Sequence, residues 1–339
     1  MVGGGVTLSA SFTKMARWPH EGIHAAPKGI LVLEQGGASM KIGFLGLGNM
    51  GGPMALNMLK KSGMTVVVYD PNPQAMAVLI DAGARAAGSP KEVGDEAEVV
   101  FASLRPLTVN VDAALGKNGV IEGSAVRIYV ELSTIGQKVV DRLVDGFKGS
   151  RITLVDAPVS GAVRGAVAGT LASMMAGPAE AFKEVEPFMK AICKEVYYVG
   201  EKPGLGQVCK LVNNAISNAA MTSTAEALVV GTKAGIDSTL LLEIINASTG
   251  RNSHSVHQFP GQVLTRNFKH GAYLENGLKD LSLYCDLGHD LGVPVWVGTS
   301  VTEVRRAAVA HLEKGADISK LILFYEHLAG IEVKGKEVK

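Results

Sequence analysis

The chain has few cysteines, almost no net charge and no long apolar run, and each absence excludes a class of protein. Its 339 residues include three cysteines, Cys193, Cys209 and Cys285, at wide and irregular spacings that match no metal-binding motif. This usage suits the reducing cytoplasm. A formal net charge of +1 gives no electrostatic reason to expect a nucleic acid or an anionic membrane as partner. No apolar run approaches the length of a membrane span.

A glycine motif near the start of the chain indicates a dinucleotide-binding turn. The predicted strand Lys41–Leu45 runs directly into Gly46, Gly48 and Gly51, which have the G-x-G-x-x-G spacing. In that motif the first glycine makes the turn, the second admits the pyrophosphate, and the third lets helix and strand pack closely. The following helix would point its free N–H groups at the phosphates. The candidate cofactor-binding residues of this turn are Gly46, Leu47, Gly48, Asn49, Met50 and Gly51.

Asp70 is the candidate residue for choosing between NAD and NADP. It follows the next predicted strand, Met64–Tyr69, about twenty residues beyond the glycines, where an acidic side chain can hydrogen-bond the adenosine ribose. The same carboxylate would repel the extra phosphate of NADP, and no arginine follows it. We therefore expect NAD as cofactor, with NADP as the open alternative. Another interpretation is that Asp70 only caps the helix predicted from Pro71.

The pattern of predicted elements changes near residue 204, and the length of the chain favours two domains. From Met40 to about Val199, strands of buried character alternate with helices, which indicates a doubly wound, mostly parallel sheet. From Leu205 onward only helical patterns follow, beginning with one long helix. We predict an α/β protein with a Rossmann domain over residues 40–202. An all-helical substrate and dimerisation domain would occupy residues 203–330, entered by the long interdomain helix.

The two ends of the chain are expected to lie outside these domains. Residues 1–39 are rich in Gly, Ala and His and show no clear periodicity, so we expect a flexible extension. A weak organelle-targeting leader is the alternative for this segment. Residues 331–339 are expected to form a C-terminal tail.

Lys210 and Asn214 form the candidate catalytic pair. They lie four residues apart on the predicted long helix and therefore share one face. Apolar neighbours at the domain junction would lower the pKa of Lys210 toward the working pH, as proton transfer requires. Taken alone, such a pair is more often a solvated lysine beside a core asparagine.

Four segments, in order along the chain, resemble the β-hydroxyacid dehydrogenases, the family that includes 3-hydroxyisobutyrate dehydrogenase and tartronate semialdehyde reductase. The four matches span about residues 40–328, and their order makes a chance resemblance unlikely. The segments are Gly43–Gly51, Asp156–Gly161 leading to Ala168–Leu171, Gly204–Asn214, and Gly277–Leu281.

The resemblance implies hydride transfer between the carbinol carbon of a small hydroxy acid and the nicotinamide. Lys210 would act as general acid and base, and Asn214 would orient the reacting oxygen or the neighbouring carboxylate. Ser160 and the N–H of Gly161 would bind the substrate carboxylate. The remaining implied cofactor contacts are Leu104, Pro106, Thr134 and Lys279.

Some residues depart from the family pattern. Ala162 stands where the substrate signature has a second glycine, and its methyl group would narrow the pocket. We hypothesise that Arg164 or Arg251 recognises a second polar or anionic group of the substrate. A surface position in a loop is the equally open alternative for each arginine. Without a third ligand nearby, His254 and His257 are expected to be ordinary polar residues, and no metal is expected.

The leading hypothesis is an NAD-dependent dehydrogenase of small 3-hydroxy carboxylic acids, or the matching semialdehyde reductase. An imine or carbonyl reductase on the same fold is the enzymatic alternative, although the presence of Lys210 argues against an imine reductase. A non-catalytic dinucleotide-binding scaffold is the alternative of a different class. Broad apolar faces at residues 240–245 and 321–328 predict a homodimer or homotetramer.

Overall fold

The computed structural model describes residues 40–335, so the expectations for residues 1–39 and 336–339 lie outside it. The strands are β1 Lys41–Leu45, β2 Thr65–Tyr69, β3 Arg85–Ala86, β4 Val99–Ala102, β5 Ile128–Glu131, β6 Thr153–Asp156, β7 Val159–Ser160, β8 Leu171–Ala176 and β9 Cys193–Gly200. The helices are α1 Gly51–Ser62, α2 Pro73–Asp81, α3 Pro90–Glu96, α4 Leu107–Leu115, α5 Gln137–Phe147, α6 Ala162–Ala168, α7 Ala179–Ile192, α8 Leu205–Lys233, α9 Ser238–Ala247, α10 Leu274–Asp290, α11 Trp296–His311 and α12 Leu321–Ala329. A π-helical segment covers His254–Val263.

The strands of the first domain form one sheet whose first six members are parallel. Their spatial order is β3-β2-β1-β4-β5-β6. This is the strand order of dinucleotide-binding domains, in which ligands bind beyond the carboxyl ends of the strands where the order reverses, here between β1 and β4. β8 pairs antiparallel with both β6 and β7, and β9 runs parallel to β8. The predicted doubly wound, mostly parallel sheet is confirmed.

Helices cover both faces of this sheet because successive strand residues point to opposite sides. On one face Phe44 and Phe101 stack with ring centroids 6.3 Å apart, and Phe188 of α7 meets Phe101 edge-on. On the other face Tyr129 of β5 packs against Phe147 of α5. The buried side chains on the two faces of the sheet thus fix the positions of the strand ends.

The second domain is helical and is entered by α8, as predicted. The 29 residues of α8 span about 43 Å. A Cβ on Gly206 would overlap the carbonyl oxygen of Met174 and lie 2.7 Å from Asp156 Oδ2, so a glycine is needed where α8 meets the sheet. Beyond this point α9 to α12 and the π-helical segment surround α8. Their shared core includes Met221, Leu228, Phe259, Leu321 and Ile322.

The structure describes the segment after α12 as far as residue 335. Val333 is fully buried, and its N–H donates to Glu326 at 2.8 Å, so part of the expected tail packs against α12. The predicted domain boundaries themselves stay predictions.

None of the helices within residues 40–335 combines the length and the apolarity that a membrane span needs.

Candidate active site

The three glycines of the turn after β1 have different physical roles. Gly46 has a φ of +83°, and a Cβ there would overlap the carbonyl oxygen of Ser103. A Cβ on Gly51 would overlap the carbonyl oxygen of Gly46. A Cβ on Gly48 would meet no atom within 4 Å. Gly46 and Gly51 thus shape the turn, whereas Gly48 leaves open space at the N-terminus of α1 that fits a pyrophosphate.

Asp70 holds the turn from the end of β2. Its Oδ2 accepts the Leu47 N–H at 2.7 Å, and its Oδ1 accepts the Asn72 N–H at 2.8 Å. The helix α2 is capped by Asn72, whose side chain accepts from Gln74, so Asp70 is not the capping residue. A carboxylate has about four acceptor positions. Asp70 can therefore still accept hydrogen bonds from ribose hydroxyls.

The loops that follow β4 and β5 meet beside this turn. The Leu104 N–H donates to Ser133 Oγ at 2.8 Å. Asn110, fully buried on α4, donates to the carbonyl oxygen of Pro106 at 3.2 Å and accepts from Ser133 Oγ at 3.2 Å. A Cβ on Gly46 would lie 2.7 Å from Leu104 Cδ2. The structure therefore brings Leu104 to the glycine turn, with Pro106 held by Asn110 in the same loop.

Asp156 and Gln207 fasten α8 to the carboxyl edge of the sheet. Asp156 Oδ1 accepts the Gly204 N–H at 2.6 Å, and its Oδ2 accepts the Gln207 N–H at 2.9 Å. Gln207 Oε1 in turn accepts the Ile135 N–H at 2.9 Å. Burial raises the pKa of Asp156 to about 6, although these N–H donors favour its ionised form. The beginning of α8 is thereby fixed against the ends of β5 and β6.

Four side chains from α8 and α10 form a polar group, here called the α8–α10 cluster: Lys210, Asn214, Lys279 and Asp280. Asn214 Nδ2 donates to Asp280 Oδ2 at 2.7 Å. Lys279 Nζ lies 2.9 Å from Asp280 Oδ1 and donates to the carbonyl oxygen of Thr134, in the loop after β5. The cluster thus connects the helical domain to the cofactor side of the sheet.

Lys210 is the more buried of the two lysines in this cluster, with 7% of its surface exposed. Burial lowers its pKa to about 8, the Asp280 carboxylate opposes this shift, and the Lys279 charge adds to it. Within residues 40–335 no group accepts a hydrogen bond from its ammonium group. Both protonation states are therefore accessible near neutral pH, as a general acid and base requires.

Two known protein families match consecutive parts of this chain. Residues 41–200 match the family described as the NAD binding domain of 6-phosphogluconate dehydrogenase. Residues 204–325 match the family described as NAD-binding of NADP-dependent 3-hydroxyisobutyrate dehydrogenase. The 2-(hydroxymethyl)glutarate dehydrogenase of Eubacterium barkeri is 32% identical over 298 residues, which cover 88% of this chain and 98% of that protein.

The chain belongs to the β-hydroxyacid dehydrogenase family. The 3-hydroxyisobutyrate dehydrogenase of Pseudomonas aeruginosa is 40% identical over 213 residues, 62% of this chain and 70% of that protein. The solved structure of Mycobacterium tuberculosis 3-hydroxyisobutyrate dehydrogenase with L-serine has a TM-score of 0.75 and 27% identity, covering 85% and 99% of the two chains. The predicted family, NAD(P) binding and dehydrogenase class are confirmed.

The loop predicted to bind substrate, here called the substrate loop, lies at the end of β7. Ser160 is half-buried, and Gly161 has a φ of +134°. Ala162 has a φ of +54°, so it keeps a left-handed backbone while carrying a methyl group. This conformation costs an alanine about 1–2 kcal/mol. The strain is retained at the position where the family signature has a glycine.

Of the two arginines hypothesised to bind substrate, Arg164 lies in α6 and Arg251 lies in the loop after α9. Arg164 and Arg251 are exposed, and within the described residues no acceptor or carboxylate binds either guanidinium. Their role in substrate recognition stays a prediction. His254 is half-buried in the π-helical segment, with Nε2 2.8 Å from Ser217 Oγ. Among residues 40–335, His, Cys, Asp and Glu side chains form no group of three that could hold a metal ion.

Sequence reasoning missed three residues that organise the site: Asp156, Gln207 and Asp280. Each belongs to one of the four segments that carry the family resemblance, which is the signal that could have found them. Asp156 and Gln207 are fully buried polar residues, and a buried polar residue needs a partner. Their partners lie in distant segments, so spacing along the chain does not reveal the contacts.

Proposed function

We propose that this dehydrogenase uses NAD to oxidise a small 3-hydroxy carboxylic acid to the corresponding semialdehyde or ketone, and catalyses the reverse reduction. The observation that supports this best is the burial of Lys210 beside Asn214, in a cluster tied to the cofactor side by the bond from Lys279 to Thr134. NAD when bound would supply the hydride acceptor.

Lys210 would handle the proton of the substrate hydroxyl. In oxidation, the neutral amine accepts this proton as hydride leaves the carbinol carbon; in reduction, the ammonium group donates it back to the carbonyl oxygen. Asn214 orients the same oxygen. Its amide already donates one N–H to Asp280 at 2.7 Å, which fixes the side chain and leaves the second N–H for substrate.

The substrate loop would hold the carboxylate. Ser160 Oγ and the N–H of Gly161 are suitable donors, and a glycine lets the ligand approach the backbone closely. The methyl group of Ala162, on its left-handed backbone, would then limit the size of the substrate group that lies over the loop. We further propose that Asp70 favours NAD over NADP by charge repulsion.

A homodimer or homotetramer and a cytoplasmic location complete the proposal. Large apolar side chains are exposed on the helical domain: Leu240 at 48%, Ile244 at 50% and Leu328 at 67%. Such apolar surface is typical of an interface. Light scattering at micromolar concentration tests this, and a monomer would contradict it.

The direct test is reduction of NAD and NADP at alkaline pH over a panel of hydroxyisobutyrate, glycerate, serine, threonate and sulfonated analogues. We expect turnover of at least one compound, with kcat lowered about 10²–10⁴-fold in Lys210→Ala and an unchanged Kd for NAD. Lys233→Ala, at the exposed end of the same helix, is the control.

Two outcomes would contradict the proposal. Undiminished turnover in Lys210→Ala would assign the proton to another group. NAD binding without turnover of hydroxy acids, aldehydes or imines would favour a scaffold.

A further inference from the structure

One side chain of α8 holds the backbone of the β5–α5 loop, residues 132–136. Gln207 is fully buried, and its Oε1 accepts the Ile135 N–H at 2.9 Å and the Gly136 N–H at 3.1 Å. Its Nε2 donates to the carbonyl oxygen of Ser133 at 3.1 Å. A single amide thus makes three hydrogen bonds to the loop, two as acceptor and one as donor.

Other elements restrain the same loop around Thr134. Lys279 of α10 donates to the Thr134 carbonyl oxygen. The Ser133 N–H donates to Glu131 at 2.8 Å, and Ser133 Oγ accepts the Leu104 N–H at 2.8 Å. The N–H and the hydroxyl of Thr134 make no hydrogen bond within residues 40–335. The loop is therefore fixed on both sides of Thr134, while these two groups are left for a ligand.

Gln207 and Lys210 belong to the same turn of α8. They lie three residues apart, a rise of about 4.5 Å, and therefore share one side of the helix. This end of the helix is itself fixed, because Asp156 accepts the N–H groups of Gly204 at 2.6 Å and of Gln207 at 2.9 Å. One helical turn thus carries the candidate proton-transfer group and holds the loop that contains Thr134.

Hydride transfer requires the nicotinamide, the carbinol carbon and the proton acceptor to be aligned at the same time. A displacement of about 1 Å, caused by a change away from the reacting atoms, can slow such a step about hundredfold. Here one helical turn and the Gln207 amide connect the loop to Lys210. An apolar side chain in place of this amide would leave three backbone groups of the loop without their partner.

We propose that Gln207 is a positioning residue for hydride transfer, which holds the β5–α5 loop, and with it the nicotinamide, in register with Lys210. This rests on the proposed function, because it takes Lys210 as the proton-transfer group and Thr134 as a contact of the nicotinamide. Gln207 acts through the loop. It aligns the carbon that loses hydride with the amine that accepts the hydroxyl proton.

The test is single-turnover oxidation of the best substrate of the hydroxy-acid panel, with enzyme in excess over NAD. The rate constant measures hydride transfer, and the amplitude measures the fraction of active enzyme. Gln207→Met should lower the rate constant about ten- to hundredfold and leave the amplitude and the Kd for NAD unchanged. Gln262→Met is the matched control, because Gln262 also accepts a backbone N–H, from Lys269 at 2.6 Å, but in the π-helical segment.

Gln207→Glu separates the donor bond from the two acceptor bonds. The introduced carboxyl can still accept two N–H groups, but it donates to the Ser133 carbonyl oxygen only when protonated. Burial and the nearby acids Glu131 and Asp156 disfavour its ionised form, whereas the Lys279 charge favours it. Relative to the wild type at each pH, its rate constant should approach unity at low pH and fall as the pH rises. The deficit of Gln207→Met should not depend on pH.

A merely structural glutamine gives a different result. Wild-type rate constants in both variants at every pH, with only the amplitude or the Tm lowered, would overturn the proposal. Gln207→Glu at low pH keeps the measurement possible if Gln207→Met does not fold, because the protonated carboxyl restores all three bonds.

The two proposals fail in different ways. A wild-type enzyme that oxidises no hydroxy acid overturns the proposed function. The fluorescence lifetime of bound NADH needs no turnover, and it should be shorter in Gln207→Met than in the wild type at equal saturation, since the nicotinamide is less restrained. An unchanged lifetime together with an unchanged hydride-transfer rate would overturn the positioning role alone.

Discussion

The glycine turn and the α8–α10 cluster lie at the same edge of the sheet but are built in different ways. The turn is one short segment of backbone. A Cβ at Gly46 or Gly51 would overlap neighbouring backbone atoms, whereas a Cβ at Gly48 would point into open space. The cluster takes side chains from two helices and reaches a loop of the other domain through Lys279. A binding site made of backbone is encoded locally, whereas a site that depends on burial exists only once the domains pack.

Substituting two glycines tests the first half of this comparison and should give the largest effect. Gly51→Ala forces its Cβ against the carbonyl oxygen of Gly46, so we expect a loss of about 1–3 kcal/mol in stability and at least about hundredfold weaker NAD binding. Gly48→Ala should leave the Tm unchanged and weaken NAD binding only. Thermal unfolding and calorimetry measure both quantities. A Gly51→Ala protein with wild-type values would refute the assigned packing role.

Glu131, at the end of β5, is a buried acid outside the turn and the cluster, although the charge of Lys279 acts on it. Its Oε1 accepts the Ser133 N–H at 2.8 Å, its Oε2 has no partner among the described residues, and burial raises its pKa to about 8. Between pH 4.5 and 8 the folded state therefore holds a proton that the unfolded state has lost. Stability should fall as pH rises through this window, by up to about 1.4 kcal/mol per pH unit.

Glu131→Gln removes this titration and keeps the shape of the side chain. Denaturant unfolding between pH 5 and 8 should show a flatter stability profile for the variant than for the wild type, with its advantage growing toward pH 8. Glu195→Gln, on an exposed position of β9, is the control. Parallel profiles for wild type and Glu131→Gln would show that the acid is ionised in the folded state.

Much of the first domain could be predicted because its signals are local. The glycine motif located the turn, and buried strands alternating with helices predicted the mostly parallel sheet. Short helices such as α3 and α6 cannot be predicted in this way, because seven residues show too little periodicity. Lys210 and Asn214 followed from spacing and resemblance. The bond from Asn214 to Asp280 depends on a contact between distant segments, which no local pattern encodes.

Substituting Asp70 should give a smaller effect, on the choice between NAD and NADP, and tests whether the carboxylate does more than support the turn. Asp70→Asn removes the negative charge while its side-chain oxygen can still accept from Leu47 N–H. We expect the preference for NAD over NADP to fall about tenfold, equivalent to about 1.4 kcal/mol. Kinetics with both cofactors measure the ratio. An unchanged ratio would mean that the carboxylate only supports the turn.

The second half of the comparison is tested by the charges around Lys210, with the smallest expected effects. Lys279→Met removes a like charge and should raise the pKa of Lys210, whereas Asp280→Asn removes an opposite charge and should lower it. Oxidation needs the neutral amine, so the rise of kcat/KM near pH 8 should move to higher pH in Lys279→Met and to lower pH in Asp280→Asn.

The direction of these shifts is informative even if both variants lose activity, because the midpoint of the pH profile is independent of the absolute rate. Opposite movements would identify Lys210 as the titrating group, since it is the buried amine on which these two neighbouring charges act in opposite directions. Movement in the same direction would place the titrating group elsewhere. No movement in either variant would mean that burial alone sets the pKa, and that the cluster contributes geometry rather than charge.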